Sequence, residues 1–403
     1  MTHVAIVGGG IVGTATAYYL SEQERVTVTL CEKGEAVGAG TTPRAAGGFR
    51  AQYSTPTHVE LSKASNEVWR SFEAEFGIDI DCQQAGYGFL VRERTTAERI
   101  KRDVAFQNQL GVGTEFTTPE AARDRYAPGL QAGQFVAATH TAEDGYVDPR
   151  LAVDAFATLA RENGVDVRTG LEVTDVSQQR GVEGANRVTG VETDEGSIEA
   201  DYVVNAAGAW GQRVAAMGGV DIPITPKRRN GLIVEPETPL PEDFPMVIDM
   251  DTGLWMRPSP ARDPDGTVMA GGHFTDHDPA FDPDDPDAFL EVADTEWAGR
   301  VLANLSDTFD QFGPDARVLR GWSGLYAITP SNHPIIEESL PRFVNAVGFS
   351  GRALMHSPAA ARLVTEIVVD GEPSLVDTHV LRTDGLRDRR GPLPLPYVQD
   401  KAE

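Results

Sequence analysis

Val4-Ala-Ile-Val-Gly8-Gly-Gly10-Ile-Val-Gly13 is an apolar, β-branched run that stops at three glycines and passes into a small-residue stretch, Thr14-Ala-Thr-Ala-Tyr-Tyr-Leu20. The pattern predicts a strand, a tight turn and a helix, with Gly8, Gly10 and Gly13 in the G-x-G-x-x-G spacing of a dinucleotide-binding βαβ unit. Gly8 permits the turn, Gly10 lets a pyrophosphate approach the backbone, and Gly13 lets helix and strand pack closely. The pyrophosphate would rest on free N–H groups at the positive end of the helix. The motif alone is weak, so its surroundings decide. A second run, Val26-Thr-Val-Thr-Leu-Cys31, alternates as a strand does and ends in Glu32-Lys33. Glu32 falls about 20 residues past the glycines, where an acid meets ribose hydroxyls and argues against a 2′-phosphate, hence against NADP. A glycine-rich turn beside a surface glutamate, the competing reading, leaves that second strand and its acid unexplained.

Working outward, 403 residues exceed one ordinary core, so two structural domains are expected. The net charge is −26, from 61 acidic and 35 basic residues. Such a surface repels nucleic acid and anionic lipid, and at low salt it repels itself. At about 1 M salt the Debye length falls to about 3 Å and the self-repulsion largely disappears. The composition therefore predicts a protein adapted to a salty cytoplasm, with an unusually acidic mesophilic protein as the competing reading. Acid is spread through the chain, with a local concentration over 276–297. Cys31 and Cys82 are the only cysteines, which excludes a cysteine-ligated iron–sulfur cluster and a disulfide framework within the chain and fits a reducing compartment. The N-terminal apolar run lacks a basic flank, and its glycines belong to the turn, so it is not read as a signal peptide. No run of 18 or more apolar residues predicts a membrane span.

Residues 38–53 are too rich in Gly, Ala and Thr for a regular element, and a loop so small-sided lets a flat ligand lie against backbone. Arg44 and Arg50 project from it, either as solvated charges or as binding groups. Helical periodicity over 57–76 ends at Gly77. Strand material is expected over 78–93, a helix from Thr96 to Leu110, and a short helix capped by Thr118. Asp144-Gly-Tyr-Val-Asp-Pro-Arg150 is turn chemistry before a helix from Leu151 to Asn163. Strands follow at 165–170 and 172–176, a hairpin at 188–191 and 197–200, and a buried strand into Asn205-Ala-Ala-Gly208-Ala-Trp210. From Pro223 to about Arg317 the pattern is antiparallel, with strands at 231–234, 246–248, 254–256 and 268–270 and a helix near 287–312. The last helix is expected from Pro358 to Val369. The fold class is α/β with an α+β second part. A discontinuous Rossmann-like nucleotide-binding domain takes 1–80, 145–220 and 318–379. An antiparallel-sheet substrate domain takes 81–144 and 221–317, and 380–403 is a loose tail.

With these motifs the chain resembles the D-amino-acid-oxidase-like flavoproteins: glycine and sarcosine oxidases, dimethylglycine dehydrogenases and the catalytic subunits of dye-linked L-proline dehydrogenases. The resemblance covers nearly the whole chain. It rests on Gly8–Gly13 with Glu32, on Gly47-Gly48-Phe49-Arg50, on Asn205–Trp210, on Gly324-Leu-Tyr326-Ala-Ile-Thr-Pro330 and on Gly348-Phe-Ser-Gly351. It implies FAD rather than NAD. Gly8, Gly10, Ile11, Val12, Gly13, Glu32 and Lys33 would hold the ADP half. Thr41, Thr42, Ala46, Gly47, Gly48, Val173, Ala207, Gly208, Trp210, Gly348, Phe349, Ser350, Gly351, Arg352 and Met355 would line the rest. Arg50 matches an arginine that pairs with the substrate carboxylate in relatives, a task suited to a guanidinium fork. His273 matches a histidine near the flavin, or is an ordinary strand-end residue. Tyr326 and Trp255 read either as pocket walls or as core.

Three departures shape what the resemblance implies. Gly324 stands where sarcosine-oxidase-like enzymes carry the cysteine that tethers FAD, so the cofactor is expected to be non-covalent. Met355 stands where those oxidases place a lysine that activates oxygen, as in the dye-linked proline dehydrogenases; a cation there favours developing superoxide, so its loss favours a dehydrogenase. Arg352 stands where relatives have histidine or glycine, and either stabilises negative charge at the reduced flavin or clamps the substrate a second time. The expected reaction is hydride transfer from the carbon next to a secondary or tertiary amine to flavin N5, giving an imine that water hydrolyses. Electrons then pass to an acceptor protein or quinone, with partner subunits a further possibility. Two other readings stay open: a peroxide-forming oxidase and a non-catalytic flavin-binding subunit of a larger complex.

Overall fold

The computed structural model describes residues 1–180, 186–274, 285–288 and 292–385. The chain opens as β1 (Thr2–Val7), α1 (Ile11–Ser21), β2 (Val26–Glu32), β3 (Gly48–Phe49), α2 (Pro56–Phe76), β4 (Tyr87–Val91), α3 (Arg94–Gln109), β5 (Glu115–Thr117) and α4 (Pro119–Arg125). It continues through β6 (Ala137–Thr141), β7 (Gly145–Tyr146), α5 (Pro149–Glu162), β8 (Asp166–Thr169), β9 (Val173–Arg180), β10 (Asn186–Thr193), β11 (Gly196–Glu199), β12 (Tyr202–Asn205) and α6 (Gly211–Met217). The remainder is β13 (Thr225–Glu235), β14 (Met246–Asp249), β15 (Leu254–Pro258), β16 (Val268–Gly272), α7 (Thr295–Thr308), β17 (Arg317–Ile328), β18 (Ile335–Leu340), β19 (Phe343–Val347) and α8 (Ala353–Asp370).

Two sheets organise these elements. The first has six strands in the order β18-β19-β12-β1-β2-β8, parallel except for the edge pair β18/β19. The apolar opening strand has no solvent face because both sides are covered. Val4 and Ile6 pack with α1, α2, α5 and α8, whereas Ala5 and Val7 pack with the three-stranded sheet β11-β10-β9 and with α6. The second sheet has eight strands, β17-β13-β16-β15-β14-β4-β6-β5. It is antiparallel except where β14 runs parallel to β4, joining the two expected substrate segments across the chain. Leu254 and Met256 face a core shared with α7, while Trp255, Phe89 and Ile248 face the opposite way. The α/β fold class holds.

Several boundaries move, each for a local reason. The expected caps Thr118 and Gly77 are in place: Thr118 Oγ1 accepts from the Ala121 N–H at 3.2 Å, and Gly77 takes φ +67°. The last helix starts at Ala353 rather than 358, and Pro358 lies inside it. Proline cannot donate to the Leu354 carbonyl one turn back; the Ser357 hydroxyl donates to it instead, at 2.9 Å. The helix expected near 287–312 is confined to α7, and most of the acid-rich 276–297 stretch lies outside the described residues. A division at 318 is not where the chain changes sheet, because β17 pairs along its length with β13 and the first sheet resumes at β18. Residues 380–385 are not loose: Leu381 is fully buried and the Thr383 N–H donates to Glu337 at 3.2 Å. The rest of the expected tail, 386–403, lies outside the described residues.

Candidate active site

The β1–α1 turn builds one end of a long cavity of about 320 Å3. Gly8 has φ +109°, and a Cβ there would meet the Ala206 carbonyl oxygen at 2.7 Å. A Cβ on Gly13 would lie 1.9 Å from the Gly8 carbonyl oxygen, so α1 can sit against the strand end only with glycine at that position. Gly10 opens the helix with no side-chain cap. Thr42 Oγ1 accepts from the Ile11 N–H at 3.1 Å and ties the 38–53 loop to the helix start. Gly8, Gly10, Ile11, Val12, Glu32, Lys33, Thr41, Thr42, Val173, Ala207, Gly208 and Trp210 all line this cavity.

Glu32 sits at the end of β2 with its two carboxylate oxygens held by the N–H groups of Gly9 and Gly34, both at 2.7 Å. The carboxylate is thereby fixed in the cavity wall with further lone pairs available to hydroxyl donors. The Asn205–Gly208 turn is set from beneath: Asn205 Nδ2 donates to Asn345 Oδ1 at 2.7 Å and to the Gly211 carbonyl at 2.8 Å. Lys33 is engaged at the rim, 2.7 Å from Asp287 and 4.4 Å over the Trp210 ring.

A second cavity of about 80 Å3 lies between the loop and the inner face of the larger sheet. Ala46, Gly47, Gly48, Arg50, Trp255, His273, Tyr326, Ser350, Gly351, Arg352 and Met355 line it. Of the expected cofactor residues, Gly13, Gly348 and Phe349 line neither cavity. Gly348 instead gives the turn its φ of +71°, and Phe349 is buried in the core under α8. Arg44 folds back on its own loop, donating to the Ala39 carbonyl at 3.0 Å.

Arg50 is 2% exposed, and its guanidinium lies 4.2 Å from the Tyr53 ring centroid and 5.2 Å from that of Phe89. His273 and Tyr326 come from separate strand ends and meet with ring centroids 5.9 Å apart. Burial, reinforced by Arg229, holds His273 well below the usual histidine range, so the ring is neutral. The first cavity accepts a nucleotide by its glycine turn and fixed acid; the second offers a buried cation against aromatic walls. The two meet at the loop.

The family described as FAD dependent oxidoreductase, DAO, matches residues 3–367. The chain belongs to this family. It is 27% identical to FAD-dependent oxidoreductase domain-containing protein 1 of Xenopus laevis, across 91% of the chain and 79% of that protein. It is 28% identical to 4-methylaminobutanoate oxidase (formaldehyde-forming) of Paenarthrobacter nicotinovorans, across 92% of the chain but 44% of that protein. Among solved structures, L-proline dehydrogenase from P. horikoshii superposes with a TM-score of 0.83 at 29% identity, covering 95% of this chain and 96% of the other.

The residues present fit FAD. In this FAD-dependent oxidoreductase a glycine turn that no Cβ could occupy and a buried acid aimed into the cleft are what the adenosine diphosphate half requires. Supporting groups that no local pattern signals hold the site in shape. Arg257, fully buried, donates to the Ala46 carbonyl at 2.6 Å and to the Val147 carbonyl at 3.4 Å, pinning the loop before Gly47. Burial lowers its guanidinium to about 10. Three more buried histidines stand behind Arg352: His58 stacks on His333 with centroids 4.5 Å apart, and His356 lies 5.5 Å from His58. No helix among the described residues is long and apolar enough to cross a membrane, and they hold no cluster suited to a metal ion.

Proposed function

We propose that this flavoprotein oxidises the C–N bond of a small amino acid or of an N-methylated or secondary amine, of the sarcosine, dimethylglycine, proline or glycine type. The observation that carries the reading is Arg50, a buried guanidinium held on the Tyr53 ring inside a cavity walled by Trp255, His273, Tyr326 and Met355. A planar fork so fixed suits a substrate carboxylate bidentately. The names of the relatives support the class, since 4-methylaminobutanoate and L-proline are both secondary amines bearing a carboxylate.

Bound FAD supplies the hydride acceptor. The six-stranded sheet with its glycine turn would hold the dinucleotide, and the eight-stranded sheet would cover the substrate. A substrate amine must be neutral to release hydride from the adjacent carbon. Arg50 and the apolar walls Met246, Ile248 and Leu354 lower the amine pKa by like charge and desolvation. His273, held neutral, offers a ring nitrogen for hydrogen bonding without adding charge. Non-covalent binding of the cofactor is supported by Gly324, which stands where the tethering cysteine would be, and by a second-cavity wall without cysteine among the described residues. Burial pushes the Cys31 thiol in the nucleotide cleft up to about 11, too basic for a ready nucleophile.

Met355 supports an acceptor other than oxygen. Its Sδ lies 2.7 Å from the Tyr53 hydroxyl, and no lysine among the described residues lines the cavity. Electrons then leave to an acceptor protein or quinone, and the charge of −26 supports a high-salt cytoplasm as the setting. The test is to purify the protein in high salt and record its flavin absorbance anaerobically with sarcosine, proline and dimethylglycine. Bleaching without peroxide on re-aeration is the expected result. Peroxide would favour an oxidase in which Arg352 provides the missing cation. A protein that takes up no FAD, or a yellow one that no amine bleaches, would overturn the proposal.

A further inference from the structure

We propose that Arg352 is a specificity-determining second anion clamp, and that the substrate is a secondary amine carrying two carboxylates, one held by Arg50 and the other by Arg352. The inference rests on the amine-oxidising reading above and names its substrate class.

Arg352 is 5% exposed. Its Nη1 donates to the carbonyls of Asn332 at 3.0 Å and Ser350 at 3.4 Å, and it makes no ion pair with any described residue. A guanidinium has five N–H donors, so two contacts through one nitrogen leave most of the fork unspent. A buried cation without an anion is strongly unfavourable. The surroundings do not supply that anion. The cavity wall carries Arg50 and Arg352 but no Asp or Glu among the described residues. Asp144 lies on the Arg50 side, bound to Ala51 and Asn66. Asp103 shares with Arg352 the wall of the small cavity on the far side of the guanidinium, but the cations acting on it are Arg99 and Arg102. The histidines behind Arg352 are neutral and compensate nothing. The missing negative charge is therefore a ligand's.

Position decides which ligand. Arg352 lines not the nucleotide cleft but the second cavity, where the flavin end of FAD and the substrate would meet. Its guanidinium lies 5.6 Å from the centroid of Tyr53, the ring on which Arg50 stacks at 4.2 Å. Two cations on one ring, both reaching one cavity, match two carboxylates joined through a short amine. A monocarboxylate such as sarcosine would satisfy Arg50 and leave Arg352 as it is. On its far side Arg352 bounds a cavity of about 30 Å3 with Gln52, Tyr53 and His58, space for the outer oxygen of a second carboxylate or a water beside it.

The test uses the FAD-loaded protein and two unreactive thioethers, thiodiacetate with two carboxylates and (methylthio)acetate with one, titrated by calorimetry. The wild type is expected to bind the diacid at least about tenfold more tightly. Arg352→Gln should remove that preference and leave the monoacid within about threefold, and Arg352→Lys, which keeps the charge, should restore part of it. In parallel, iminodiacetate should bleach the flavin at lower concentration than sarcosine, with the difference in KM rather than kcat. Equal binding of the two acids, equal losses for both in Arg352→Gln, or a shifted flavin potential with unchanged preference would overturn the clamp. Bleaching by sarcosine alone would overturn it and leave the amine-oxidising reading intact. If no amine bleaches the flavin, that reading falls and the clamp with it.

Discussion

The backbone N–H of Ala51 donates to Asp144 Oδ1 at 3.0 Å, joining residues 93 positions apart. Asn66 Nδ2 donates to the same oxygen at 3.0 Å, and Gln52 Nε2 faces the other oxygen at 3.5 Å. Gln52 is in turn fixed by the Tyr87 carbonyl at 2.8 Å and the Thr139 hydroxyl at 2.9 Å. The loop that presents Arg50 is thus nailed to α2 through one buried carboxyl and to β4 and β6 through the Gln52 amide. Burial pushes that carboxyl up to about 7, against the pull of the Ala51 N–H and Arg50. Between its unfolded value near 4 and about 7, the folded chain keeps a proton the unfolded chain has lost, so this group lowers stability as pH rises through the window. Asp144→Asn cannot ionise. Its melting temperature should gain on the wild type between pH 5 and pH 8, and parallel curves would show that Asp144 does not titrate in that range.

The histidine stack predicts the opposite slope. Burial first, then Arg352, holds His58 and His356 well below the ordinary range and brings His333 down to about 4. The unfolded chain takes up protons near pH 6.5, before these rings do. Their contribution is complete above that pH and is lost as pH falls toward 4. His333→Asn should make acid destabilisation shallower by up to about 1.4 kcal/mol per pH unit. Chemical denaturation at several pH values between 7.5 and 4.5 measures it, and an unchanged slope would refute the assignment.

What the sequence disclosed and what it withheld follow from the range of the forces involved. The β1–α1–β2 unit is legible because alternation, glycine φ and the acid at Glu32 are local signals, and Thr118 and Gly77 are legible as caps for the same reason. The start of α8 is not, because Pro358 reads as a helix boundary and the Ser357 hydroxyl that replaces the lost bond carries no such signal. The parallel β14/β4 pair depends on strands 159 residues apart in the sequence. Asp144 reads as turn chemistry until Asn66 and Ala51 are folded against it. Arg257 and His58, His333 and His356 sit in unremarkable local patterns, and only tertiary packing gathers them behind Arg50 and Arg352.

Gly13 provides a test of the nucleotide cleft. A Cβ there meets the Gly8 carbonyl oxygen, a backbone atom that cannot turn aside. Gly13→Val should cost about 3 kcal/mol or more and yield protein depleted of FAD, read from the ratio of flavin to protein absorbance. A variant with wild-type flavin content and melting temperature would show that α1 has another way to dock.

The charge of −26 sets a salt dependence. Raising ionic strength from 0.1 M to 1 M shortens the Debye length from about 10 Å to about 3 Å, removing most repulsion between exposed carboxylates. Melting temperature should rise steadily with KCl over that range. A flat or falling profile would mean that the acids are compensated locally and that the high-salt setting has no support.

Arg50→Lys separates binding from chemistry. Lysine keeps one positive charge but loses the planar fork and the stacking on Tyr53, so it can meet only one carboxylate oxygen at a time. Losing one charge-assisted hydrogen bond of about 1.5–3 kcal/mol raises KM by roughly 10- to 100-fold. If Arg50 anchors a group that does not change during the reaction, its interaction is equal in ground and transition states and kcat stays near the wild-type value. Steady-state reduction of an artificial electron acceptor, with the substrate identified by flavin bleaching, gives both constants. A fall in kcat at unchanged KM would place Arg50 against charge that develops in the transition state, and the carboxylate would have to be sought elsewhere in the cavity.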